Sequence, residues 1–97
     1  MSYRLAPRAI ADVEGIGDYI SQESPQAAVR LIQRFARHWE LLASQPYSGA
    51  TREDVLPDLR HLVMGEYIAF YRVVGRDVLI LRVLHGRRDI TGDDIAS

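Results

Sequence analysis

The chain has 97 residues, a mass of 11.0 kDa, 47% hydrophobic and 26% charged residues, no cysteine and a formal net charge of -1. That length suits one domain over 1–97, because domains commonly run to about 100–150 residues, and the absence of cysteine excludes disulfides, thiolate zinc sites and thiol nucleophiles. No apolar run approaches the roughly 18 residues that mark a membrane span, and the start MSYRLAPRAI lacks the apolar stretch of a signal peptide, so a cytoplasmic protein with no membrane contact is expected.

Tyr3-Arg4-Leu5 reads as a short strand that stops before Pro7. Ile10, Val13, Ile16 and Ile20 follow at spacings of 3, 3 and 4, one apolar stripe of a helix. A second helix is signalled by Ser24 as N-cap and Pro25 at the first helical position, where a missing N–H costs nothing. Ala28, Leu31, Ile32, Phe35, Trp39 and Leu42 form its stripe, with Arg30, Arg34 and Arg37 opposite. Its end is expected near Ser44-Gln45, before Pro46. The short connection between the helices predicts an antiparallel helical hairpin. Residues 46–57 read as a surface loop.

From residue 59 the hydrophobic period changes to two. Leu59–Met64, Tyr67–Val74 and Asp77–Leu84 are strand candidates, separated by Gly65-Glu66 and Gly75-Arg76 as two-residue hairpin loops. The order β-α-α-β-β-β predicts an α+β fold, with the helical hairpin packed on one face of a small antiparallel sheet.

Two-residue loops fix a register and divide the sheet residues between two faces. Leu59, His61, Val63, Ile68, Phe70, Leu79, Leu81 and Val83 are assigned to the helix-facing side. Arg60, Leu62, Met64, Tyr67, Ala69, Tyr71, Ile80, Arg82 and Leu84 fall on the other. An outward face should be polar, whereas this one mixes large apolar groups, tyrosines and arginines, a composition enriched at interfaces. A partner surface is expected there; cover by the C-terminal tail or a loop is the alternative.

All twelve basic residues are arginine, a planar fork suited to carboxylates and phosphates. Their distribution is uneven: residues 1–59 carry six Arg and eight acids, 60–88 six Arg and two acids, and 89–97 three acids and no base. The basic second half points to an acidic partner or a nucleic-acid neighbour. Three isolated histidines without HxH or HExxH spacing argue against a metal site. No serine sits in a nucleophile elbow and no glycine-rich phosphate loop exists, so no cofactor is expected. The one remaining cluster is Arg82-Val83-Leu84-His85-Gly86-Arg87-Arg88-Asp89.

This segment, the pair Tyr71-Arg72, the early helix AIADVEGIGDYI, the loop QPYSG and the element order together resemble the ParE branch of the RelE/ParE toxin superfamily, from about Tyr3 to Ile90. The resemblance implies the toxin of a type II toxin–antitoxin pair, of the kind also described as plasmid stabilisation proteins. ParE toxins inhibit DNA gyrase by direct binding and are neutralised by a ParD-like antitoxin. It implies no sequence-specific nucleic-acid binding by the toxin alone. RelE toxins instead cut messenger RNA on the ribosome. Of the RelE cleavage positions, the middle-strand lysine falls near His61, the middle-strand arginine near Ile68, the later arginine on Arg88 and the tyrosine near Asp94. Only Arg88 keeps its chemistry, which favours the gyrase-directed branch; Arg82, His85 and Arg88 would serve a ribonuclease. Arg60, Leu62, Met64, Tyr67, Tyr71, Arg82, His85, Arg87 and Arg88 are the expected contacts with target or antitoxin.

Overall fold

A computed structural model describes residues 2–96; Met1 and Ser97, included in the expected domain, lie outside the described residues. Strand β1 (Tyr3–Leu5) leads into α1 (Pro7–Ser21) and α2 (Pro25–Ser44). Then come β2 (Ala50–Thr51), β3 (Arg60–Met64), β4 (Tyr67–Val74), β5 (Asp77–His85) and α3 (Gly92–Ala96). The α+β class and the helical hairpin agree with the reading of the sequence. Ser24 caps α2, its Oγ accepting the Ala27 N–H at 3.1 Å. Gly65 and Gly75 have φ of 65° and 62° and open the two hairpin turns, the position where a type II′ turn requires positive φ.

The sheet order is β1-β5-β4-β3-β2. β1 runs parallel to β5 and the other pairs are antiparallel, so the sheet is mixed rather than purely antiparallel. The expected β3–β4 register is observed in full, from Arg60 opposite Tyr71 to Met64 opposite Tyr67. The β4–β5 register holds only to Tyr71 opposite Ile80. A bulge then leaves Leu81 without a partner, so Phe70 faces Arg82 and Ile68 faces Leu84, one residue later than a regular ladder predicts.

The assignment of the two faces is reversed up to the bulge, while beyond it Val83 lies in the main core and Leu84 in the far one, the sides first assigned to them. Met64, Ala69, Tyr71, Val78 and Ile80 pack with Leu31, Phe35, Trp39 and Leu42 of α2 and Ala9 of α1 in the main core, with Leu62 and Tyr67 against it. The face expected to be exposed is therefore the one under the helices. Leu59, Phe70 and Leu84 form a second core on the far side, covered by Val55 and Leu56 of the loop and by Ile90 and Ile95 of the C-terminal segment. Both faces are buried, which is why both read as apolar. Val63, expected inside, is 59% exposed.

Candidate functional site

The environment of the basic segment is set by the length of β1. This strand covers β5 only along Val78–Ile80, after which Ala6 N–H donates to the Ile80 carbonyl and the chain turns into α1. Asp12, nearly two turns into that helix, takes over the exposed strand edge. One carboxylate oxygen accepts the Val83 N–H at 2.9 Å and Arg82 Nε at 2.7 Å, and the other accepts Arg82 Nη2 at 2.9 Å. Arg82 Nη1 donates to the Asp94 carbonyl. Arg82 is thus buried, at 8% exposure. Its guanidinium pKa is raised, first by the hydrogen bond to Asp12 and against the cost of desolvation. The expectation of a surface Arg82 is overturned, because the strand edge and α1 close over it.

The other expected contact residues separate into two groups. Tyr71 is fully buried, and its hydroxyl donates to Pro46 O at 2.8 Å and accepts Gly49 N–H at 2.9 Å, locking the loop that leaves α2. Burial raises its pKa. Met64 is buried, and Leu62 and Tyr67 are half-buried against the main core. Tyr67 stands edge-on between the rings of Phe35 at 5.7 Å and His85 at 5.5 Å, and burial raises its pKa above the usual phenol value. Arg60 donates to the carbonyls of Gly49 at 2.8 Å and Tyr47 at 3.3 Å, over the Tyr47 ring. None of the four apolar or aromatic residues presents the open sheet face that alternation suggested.

His85, Arg87 and Arg88 do reach the surface, at the end where β5 meets the Gly65-Glu66 turn. Gly86 N–H donates to Glu66 O at 2.8 Å, and a Cβ on Gly86 would lie 3.3 Å from that oxygen, so the two segments approach closely. His85 Nδ1 accepts the Arg87 N–H at 3.2 Å. Arg88 pairs with Asp94, whose second oxygen accepts the Thr91 N–H and hydroxyl at the start of α3. These bonds hold the Asp94 carboxyl below the usual carboxylate range, first through the Thr91 backbone N–H and then through the Arg88 charge. Arg87 is exposed, with no carboxylate partner among the described residues.

Around the same turn run two adjoining grooves of about 290 and 440 Å³, lined by Leu31, Phe35, Met64 and Tyr67 below and by Arg30, Arg34 and His38 of α2 above. Sequence reasoning placed Arg30 and Arg34 on the polar side of α2 and missed that the turn of the β-hairpin comes up beside them. The arrangement is an apolar trough with a basic margin, suited to an acidic amphipathic segment.

On the far side of the sheet, His61 stands edge-on to Phe70 at 6.1 Å, and its Nδ1 lies 3.0 Å from Arg52 Nη1. Arg52 in turn pairs with Asp54 at 3.0 Å. Burial and the Arg52 charge lower the His61 pKa. Ile68 packs against the second core, and Asp94 is engaged by Arg88 and Thr91. Of the positions that the resemblance matched to a ribonuclease's cation, base and acid, one is thus apolar (Ile68) and two, Arg88 and Asp94, are paired with each other. Among the described residues no cluster of histidines and carboxylates fits a metal ion, and no helix is long and apolar enough to cross a membrane.

The family described as the ParE toxin of type II toxin–antitoxin systems, parDE, matches residues 3–90. Toxin RelE2 of Caulobacter vibrioides is 37% identical over 81 residues, which cover 84% of this chain and 90% of that protein. Toxin ParE3 of the same organism is 30% identical over 73 residues, 75% of this chain and 73% of the relative. Among solved structures, a chain of the chromosomal ParDE system of P. aeruginosa superposes with a TM-score of 0.75 at 28% identity, covering 88% of this chain and 95% of its own length.

Proposed function

This chain belongs to the ParE toxin family of type II toxin–antitoxin systems, and from that premise we propose that it arrests growth by binding DNA gyrase in the cytoplasm, without an enzymatic step of its own. The observation that carries this reading is the state of Arg82. Metal-free RNA cleavage needs a free cation at the scissile phosphate together with an acid and a base. Here Arg82 is spent on Asp12, Arg88 on Asp94, and Ile68 stands where a phosphate-binding arginine would be needed. A protein so arranged acts by surface contact.

Neutralisation follows from the same geometry. The solved ParDE relative comes from a toxin–antitoxin system, and the basic-edged trough beside α2 suits an acidic amphipathic segment of a ParD-like antitoxin. Arg30, Arg34 and Arg87 would meet its carboxylates, and Leu31, Phe35 and Met64 its apolar side chains.

The deciding experiment adds purified chain to DNA gyrase and relaxed plasmid, with and without a cognate ParD-like antitoxin. Loss of supercoiling and accumulation of cleaved DNA, both reversed by antitoxin, are expected. Normal supercoiling together with cut message on programmed ribosomes would instead establish a RelE-like ribonuclease.

A further inference from the structure

An open cleft lies away from the basic end, where β3 stops short of its neighbour. β4 extends to Val74, but β3 begins at Arg60, opposite Tyr71. Arg72, Val73 and Val74 therefore have β5 on one side and no strand on the other. The preceding chain leaves the sheet at Asp58, whose φ of 61° is left-handed. What remains is an open cleft of about 670 Å³.

Two arginines flank it. Arg60 uses Nη1 on backbone carbonyls, and Arg72 uses Nη2 on Pro57 O at 2.9 Å. The buried Arg72 Nε has no hydrogen-bond partner. Among the described residues neither guanidinium has a carboxylate partner, in contrast to Arg52, Arg82 and Arg88, each of which is paired with an aspartate. The main chain is also unfilled. A two-residue hairpin closes on a hydrogen-bonded pair, and such pairs alternate along the ladder. Starting from Met64 opposite Tyr67, the alternation turns the N–H and C=O of Val73 toward the vacant side. Tyr47 and Val74, 66% and 47% exposed, supply apolar walls.

We propose that this cleft binds an extended acidic segment of a partner protein, which pairs with Val73 and delivers one carboxylate between Arg60 and Arg72. Strand addition of this kind takes affinity from the main chain and specificity from side-chain pockets. The rim also carries Glu53 and Asp58, neither paired to the two arginines. Their charge opposes a phosphate dianion and leaves room for a single carboxylate flanked by apolar neighbours.

The test uses the isotope-labelled chain alone, so it does not depend on gyrase or antitoxin. Blocked Val-Glu-Val and Val-Gln-Val peptides, acetate and inorganic phosphate are titrated while backbone amides and arginine Nε–H signals are followed by NMR. Saturable shifts at Val73, Val74 and Arg72 are expected, with the Glu peptide bound about fivefold more tightly than the Gln peptide, as a charge-assisted bond requires. Arg72→Gln or Arg60→Gln, each checked for an unchanged amide spectrum elsewhere, should remove that preference. Equal binding of the two peptides, shifts centred outside the cleft, or tighter binding of phosphate would overturn the proposal.

Discussion

Asp12 and Arg82 are 70 positions apart in sequence and joined by a two-point ion pair with side-chain exposures of 15% and 10%. The pair fastens α1 to the strand edge that β1 leaves open, and through the Asp94 carbonyl it fastens α3 as well. Removing one partner strands a buried charge. Asp12→Asn should cost about 3 kcal/mol of stability, read as a lower urea midpoint with an unchanged slope. A loss under 1 kcal/mol would mean that the pair is solvated.

Tyr71 and Gly49 form a second long-range clasp. Tyr71→Phe leaves the Gly49 N–H and Pro46 C=O without their shared partner and should cost about 1–3 kcal/mol. Gly49→Ala should cost more, because a Cβ there would lie 2.5 Å from the His61 carbonyl oxygen, which is part of β3 and cannot move aside. Denaturant curves of both variants order the two effects; Gly49→Ala the milder of the pair would refute the clash.

His61 gives stability a definite pH slope. Its folded-state pKa lies below the ordinary value of 6.5, first from burial and then from Arg52. The unfolded chain therefore binds more protons between the two pKa values, and stability rises with pH across that window. Acidification from pH 8 to below 6.5 should weaken the native state, and His61→Gln should flatten that part of the curve. An identical slope in the variant, measured by urea unfolding at several pH values, would rule the assignment out.

Charge reversal on the trough separates folding from recognition. Arg34→Glu and Arg87→Glu alter exposed side chains and should change stability by no more than about 0.5 kcal/mol. Each should weaken the antitoxin complex roughly tenfold, about 1.4 kcal/mol, and the difference from the wild type should shrink as salt rises. Calorimetric titration with antitoxin at two ionic strengths measures both. Undiminished affinity would place the antitoxin elsewhere.

Strands β1, β3, β4 and β5, the hairpin turns and the capped second helix were legible because each is specified by residues close in sequence: Ser24 and Pro25 at a helix start, glycines where a turn needs positive φ, alternation along β3 and β4; β2, inside the segment 46–57 read as a surface loop, was not. The two ends of the candidate site were legible unequally. His85, Arg87 and Arg88 stood out as a basic cluster after a strand, whereas Arg30 and Arg34 gave no sign of a hairpin turn beside them. The bulge at Leu81 was illegible as well, since nothing in the run LILRVL marks an extra residue. Nor does anything in that run announce that Asp12 of α1 pairs with Arg82.

Length, composition and local pattern by themselves determined the kind of protein: one α+β chain without cysteine, two helices followed by a β-meander, and a basic stretch at and after the end of its last strand. Which sheet face meets the helices was decided only in three dimensions. Alternation sorts residues into two sets but does not orient them, and here both sets are apolar because both are covered. The helices take the face of Met64, Tyr71 and Ile80, and Val55, Leu56, Ile90 and Ile95 take that of Leu59, Phe70 and Leu84. The same long-range packing decided which arginines remain available. A charge cluster in sequence becomes a surface only where no carboxylate from a distant element arrives first, as Asp12 does at Arg82.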